Sequence, residues 1–370
     1  MQVEVSPGRL GILATEVRRK LPFASSGYYR RLCLLGSKVG FHVFVFSPNR
    51  IDWKNLTVPG FTYSAEEGGW VRKLYPLPDL VYDRCFFSTR EEYLQYRTQA
   101  RRLRRMPGIR FLGNGLAGKW EVQQMLQHDP SFHPHLPETQ ILKSGKQLLT
   151  WFKRRQDVFL KPEGGSQGKG ALHISARNGI YEATGRTARN QPLSQRFLQS
   201  SALVRFIDSF IGGRNYLAQE YLQLTNHEGN AYDIRSLVQK NGKGRWELTG
   251  MAVRCGQPGS VTSNLHGGGF AAELMPFLVI EFGERKSREL LTALIDLSER
   301  IPLALETVHG RLAELGIDLG IDRSGNIWIL EVNSKPGRSI FKRLKNEKAC
   351  LRSIANPIRY AGYLLQKEQG

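Results

Sequence analysis

Two carboxylates and one amide near the C-terminal end are the residues of this chain best placed to do chemistry. Asp318 lies near the end of one short apolar run, and Glu331 and Asn333 lie at the end of the next. Ser324-Gly325-Asn326 forms a tight turn between the runs. Strand side chains alternate between faces, so Glu331 and Asn333 share one, and a hairpin would bring Asp318 beside them. Three hard oxygen donors with few basic neighbours suit Mg²⁺, with Mn²⁺ as the alternative, held jointly with phosphate oxygens. Asp322 falls at the turn and is not expected to join them.

A second group could hold the phosphates. Val158-Phe159-Leu160-Lys161-Pro162 reads as a strand ending in lysine. It runs into Glu163-Gly164-Gly165-Ser166-Gln167-Gly168-Lys169-Gly170, after which Ala171–Ile174 resumes a strand. Four glycines let the backbone approach a polyanion and aim its N–H groups at it, and Lys161 and Lys169 add charge. A dinucleotide fingerprint would need a helix after the glycines. A Walker loop would need Gly where Glu163 stands and Ser or Thr where Gly170 stands. Gly164 to Gly168 also fits Gly-x-Ser-x-Gly, the nucleophile elbow of a hydrolase. That motif must turn into a helix and follow its oxyanion segment, whereas His266-Gly267-Gly268-Gly269 comes about a hundred residues later.

The elements that must position these groups are strands alternating with helices. Strands are expected at 9–15 and 41–46 and at the end of 68–84, with helices at 25–39 and 89–106. This pattern indicates a small α/β domain with a parallel sheet. A helix is expected at 114–128. A proline- and histidine-bearing loop follows at 128–137, and its histidines have no carboxylate cluster to form a metal site. Further strands are expected at 201–209, 216–223, 233–240 and 245–255, and a helix at 287–315 divided near Pro302. The expected division is 1–112, 113–210 and 211–370. The first segment is an N-terminal α/β domain. The second holds the glycine loop, and the third holds the hairpin and is α+β in character.

The chain has 370 residues, 41% hydrophobic and 23% charged, enough for two or three compact cores. No run approaches a membrane span, and the N-terminus lacks the order of a secretory signal. Four scattered cysteines form no Cys-x-x-Cys pair, which fits a reducing, cytoplasmic setting without structural zinc. The net charge of +20 is unusual. Its clusters match no nucleic-acid module and carry little aromatic interleaving, so a nucleic-acid partner is not expected.

With both ends in view, the chain resembles the ATP-grasp superfamily, and within it the YheC/YheD endospore coat-associated family. Tyr75-Pro76-Leu77-Pro78-Asp79, Tyr82-Asp83-Arg84, Lys119-Trp120-Glu121, Leu136-Pro137-Glu138-Thr139 and Leu330 to Gly337 carry the likeness. The resemblance implies an ATP-grasp fold behind a small pre-ATP-grasp domain, with ATP and Mg²⁺ as cofactors. Lys119 and Lys161 would contact the nucleotide, together with Gly164, Gly165, Ser166, Gly168 and Lys169. Gln219, Glu220, Tyr221 and Leu222 resemble the hinge, with Glu220 or Glu228 holding the ribose. Arg235 and Arg254 would hold the transferring phosphoryl group and the acceptor carboxylate. Asn264, with Gly267 to Gly269, resembles the substrate-side loop. Asp318, Glu331 and Asn333 match the metal set. The implied activity is a carboxylate–amine or carboxylate–thiol ligase working through an acyl phosphate on a small-molecule or peptide carboxylate, in a spore-coat context. The other function consistent with the resemblance is a non-catalytic coat protein that keeps the fold.

Overall fold

The computed structural model describes residues 8–87, 89–165, 168–257, 263 and 268–367. Ser166 and Asn264, and with them Gly267, lie outside the described residues.

The chain builds three sheets in succession. The first contains β1 (Arg9–Leu13), β2 (His42–Phe46), β3 (Thr57–Ser64), β4 (Gly69–Pro76), β5 (Leu80–Asp83) and β6 (Arg110–Phe111), in the order β4-β3-β2-β1-β5-β6. Strands β2, β1, β5 and β6 are mutually parallel, as alternating helices and strands require. Helices α1 (Ser26–Lys38) and α2 (Arg90–Arg104) connect them. Strands β3 and β4 form an antiparallel hairpin where the sequence reading saw only a lead into one strand. The helix α3 (Lys119–Gln127) starts at Lys119 rather than 114, and the Glu121 carboxylate accepts the Gly118 N–H at its first turn.

The second sheet contains β7 (Thr139–Leu142), β8 (Asp157–Pro162), β9 (Leu172–Arg177), β10 (Ile180–Arg186), β11 (Pro192–Phe197) and β12 (Tyr216–Glu220), ordered β11-β10-β9-β8-β12-β7. Helices α4 (Lys146–Phe152) and α5 (Ser200–Ile211) cover one face. The expected strand at 201–209 is a correction: it is α5. Leu203, Ile207 and Ile211 recur every four residues and are buried, which is a helical stripe and not a strand alternation.

The third sheet contains β13 (Tyr232–Lys240), β14 (Trp246–Cys255), β15 (Phe270–Ala272), β16 (Glu314–Ile321) and β17 (Ile327–Asn333), ordered β15-β14-β13-β16-β17. Helix α6 (Leu274–His309) lies on one face and is interrupted at Gly283 (φ 76°, ψ 165°), not at Pro302. It ends at His309, so 314–315 are strand rather than helix. Helices α7 (Ser339–Arg343) and α8 (Glu347–Gln366) complete the chain. Elements cross the segment borders: β12 completes the second sheet, α3 packs on the third core, and α8 returns to the first.

Alternation divides the third sheet, with a bulge at Leu330 resetting the phase between Ile329 and Val332. Ile234, Val238, Val253, Leu315, Ile317, Leu319, Ile329 and Val332 point into the core shared with α6. Their neighbours Asp233, Arg235, Arg254, Asp318, Glu331 and Asn333 therefore occupy the opposite face.

Candidate functional site

The hairpin forms as the sequence implies: β16 and β17 are antiparallel, and Asp318 pairs directly with Glu331. Asp322 accepts the Ser324 and Asn326 N–H groups and the Trp328 indole, so it builds the turn. The expectation of few basic neighbours is overturned. Arg235 donates to both Asp318 oxygens at 2.5 and 3.1 Å, and Arg254 Nη2 reaches Asp318 Oδ2 at 2.8 Å. Arg254 also grips Asp233 with two bonds of 2.5 and 2.7 Å, and Ser263 donates to Asp233. The reason is register across the sheet. Arg235 lies opposite Asp318 and Asp233 lies opposite Arg254, pairings between segments some eighty and twenty residues apart that no local window displays.

This chain of two carboxylates and two guanidinium groups is formally neutral. Burial alone would raise the Asp318 pKa; the charges of Arg235 and then Arg254 outweigh it and bring it down to about 2. The Arg254 guanidinium, despite burial, is driven further toward its charged form by Asp233 and Asp318. Asp233 is a participant that the sequence reading did not single out. The available signal is its position two residues before Arg235, on the same strand face.

Glu331 is less committed. Among the described residues its one ion pair is with Lys119 Nζ at 3.9 Å, and about a third of its side chain is exposed. Asn333 donates its amide N–H to the Gly316 carbonyl, and among the described residues nothing donates to its Oδ1. Two carboxylates and an amide carbonyl are uniformly hard donors and fit Mg²⁺ or Mn²⁺. Among the described residues no group of three or more His, Cys, Asp or Glu could hold a metal alone. A cation here would complete its shell with oxygens from phosphate or water.

Both lysines meet this face from the second sheet and α3. Lys161, near the end of β8, is half-buried; its Nζ donates to Gln219 Oε1 at 3.0 Å and to the Leu330 carbonyl at 3.1 Å. Burial lowers its pKa to about 8, against the pull of Glu331. Lys119, in the first turn of α3, donates to the carbonyls of Glu163 and Gly165 at 3.3 and 2.9 Å and so reaches the glycine loop. Gly164 is exposed, as is the Lys169 side chain, and Gly168 adopts φ 65°. Gly170 needs its missing side chain twice over: its φ is 73°, and a Cβ would lie 2.7 Å from the Tyr216 hydroxyl. The loop is followed by strand β9, which removes the nucleophile-elbow alternative.

The hinge residues are unequal. Gln219 joins Lys161 to the Thr139 hydroxyl and is part of the sheet. Glu220 is occupied by Arg155 at 2.5 Å and accepts the Glu138 N–H, so it is held in the sheet edge. Glu228 accepts from Asn230. The Tyr221 ring stacks on His173 at 3.7 Å, and His173 is itself bonded to Asp157. His173 is a further residue that the sequence did not announce. Leu222 follows β12, and its carbonyl accepts the Leu224 N–H.

The family model described as YheC/D like ATP-grasp matches residues 108–364. The endospore coat-associated protein YheD of Bacillus subtilis (strain 168) is 29% identical over 350 residues, covering 92% of this chain and 74% of that protein. The endospore coat-associated protein YheC of the same organism is 27% identical over 321 residues, covering 87% and 88%. Among solved structures, D-cycloserine synthetase DcsG superposes with a TM-score of 0.55 at 13% identity, over 97% of this chain and 99% of that one. At that identity the likeness is one of fold.

Proposed function

Because the chain belongs to the YheC/D-like ATP-grasp family, we propose that it is an ATP- and Mg²⁺-dependent ligase that activates a carboxylate and passes the acyl group to an amine or thiol. One observation carries the proposal. Lys119 and Lys161, the oxygens of Glu331 and Asn333, and the Asp318–Arg235–Arg254–Asp233 chain all meet on one face of the third sheet.

A carboxylate is a poor electrophile, because direct amide formation would have to expel oxide. Attack of a carboxylate oxygen on the γ-phosphorus releases ADP and leaves an acyl phosphate. An amine or thiol then attacks the carbonyl carbon, and phosphate departs. This chemistry needs positioning and charge neutralisation more than a nucleophilic side chain. Lys119 and Lys161 would bind the phosphates on the α/β side. Glu331 and Asn333, with Asp318, would hold Mg²⁺, which when bound offsets charge on the β- and γ-phosphates. Arg235 and Arg254 are planar, always charged and held by carboxylates, which suits them to orient an acceptor carboxylate bidentately. Glu228 is the freer of the two candidates for the ribose.

Purified protein supplied with ATP, Mg²⁺ and pools of amino acids, peptides or cell-wall fragments should release ADP with at least one pool. Arg254→Ala should abolish that release while retaining ATP binding. The relatives' coat-associated names favour one other reading, a coat protein that binds ATP without turnover. Tight ATP binding with no ADP release from any pool would select it.

A further inference from the structure

We propose that the outer face of α7 and α8 is a docking track for an acidic polypeptide, and that this polypeptide brings the carboxylate to the site. The inference rests on the ligase reading and gives its acceptor a chemical class.

Lys342, Arg343, Lys345, Lys348, Arg352 and Arg359 are all exposed, and none forms an ion pair with a described residue. Glu347 is the only acidic residue in that stretch. On α6, by contrast, Arg285, Arg288 and Arg300 each pair with a carboxylate one turn away. A solvated helix face usually intersperses both signs, so a uniform, unpaired run is a field left open for an anion. Lys348, Arg352 and Arg359 are spaced to share one side of α8, spanning about 16 Å at 1.5 Å per residue.

Position connects this run to the site. Leu237 and Ala252 lie two residues along their strands from Arg235 and Arg254, on the same face, and α7 and α8 cover them through Ile340, Phe341 and Ala349. The fit is close, since a Cβ on Gly250 would lie 3.0 Å from both Ala349 and Phe341. Gln239, farther along, donates to the Ser353 carbonyl of α8. The helices that bear the basic run therefore pack on the same sheet face as the arginine pair, next to it along the strands.

An acidic polypeptide suits both ends of this arrangement. Its carboxylates match the lysines and arginines of the track, and one of them meets the site's arginine pair. Nucleic acid would satisfy the track but bring no carboxylate. Of the aromatic residues on these helices, Phe341 and Tyr360 are buried and Tyr363 is half-buried against Tyr360, so they offer no row of exposed rings.

The test uses the full-length protein and a fluorescent glutamate-rich peptide. The wild type should bind the peptide at low salt and lose it as salt rises. Replacing Lys345, Lys348 and Arg352 together by Gln should weaken peptide binding about tenfold, and by Glu further, at unchanged ATP affinity. The Gln variant guards against misfolding, and its melting temperature should match the wild type's. Absence of peptide binding at low salt, equal binding by the variants, or tighter binding of duplex DNA or anionic vesicles through these same residues would overturn the proposal. Failure of the wild type to bind Mg²⁺–ATP would instead remove the ligase reading beneath it.

Discussion

The third sheet carries two arginine–carboxylate clusters on one face, and they differ in what surrounds them. Glu314 and Asp318 are both on β16, four residues apart. Glu314 is 3% exposed and is bonded to Arg84, Arg338, Tyr82 and Gln239. Arg338 and Arg84 also share the Pro336 carbonyl, and Lys335 bonds Asp83 nearby. This cluster fastens the exit of β17 to the end of β5. Asp318 has only arginines and the neighbouring Asp233, beside Glu331 and Asn333, which have capacity to spare. The same pairing of charges is a rivet where every partner is internal, whereas around Asp318 it stands beside acceptors with coordination left over.

The first way to break the contrast is Glu314→Ala. It leaves Arg84 and Arg338 buried without their counter-charge and should cost about 3–5 kcal/mol of stability, read as a fall in melting temperature. A cost below ~1 kcal/mol would mean that the cluster is not a rivet. Asp318→Asn should keep a cooperative melt but lower ligand-stimulated ADP release by about 100-fold or more, which corresponds to roughly 2.7 kcal/mol. If the two variants lose stability equally, the distinction fails. Glu331→Ala should weaken Mg²⁺-dependent ATP binding about tenfold in a titration, while unfolding changes by less than ~0.5 kcal/mol. Unchanged ATP affinity would remove Glu331 from the metal set.

The smallest effect is in pH. Lys161 has its pKa lowered from 10.5 to about 8, so the folded protein gives up this proton before the unfolded chain does. Between about pH 8 and 10.5 the unfolded state holds more protons, and this group's contribution to stability rises with pH there. ATP affinity should move the other way, weakening as pH rises through 8, because neutral Lys161 offers no charge to phosphate. Calorimetry in buffers of different ionisation enthalpy should show proton uptake on ATP binding near pH 8. No buffer dependence would mean that Lys161 is charged throughout.

Much of this was legible in the sequence where the signal is local. The hairpin with Asp318, Glu331 and Asn333, the lysine-ended strand before the glycine loop, and the parallel N-terminal sheet follow from periodicity and turn residues within short windows. Residues 201–209 misled because β-branched and aromatic content suggested a strand, while the spacing of Leu203, Ile207 and Ile211 made α5. The β3–β4 hairpin was missed because β4 is mostly polar and half-exposed, so it shows no apolar alternation.

The sequence by itself determined the family, the identities of the charged groups and the strands that bear them, since those depend on residue type and on spacing along one segment. Only the tertiary structure decided which charges neutralise one another. Asp318 became a partner of Arg235 and Arg254, Glu220 was claimed by Arg155, and Tyr221 was stacked on His173. Each of these contacts joins segments well separated along the chain, and electrostatic interaction depends on distance and burial that a linear order does not contain.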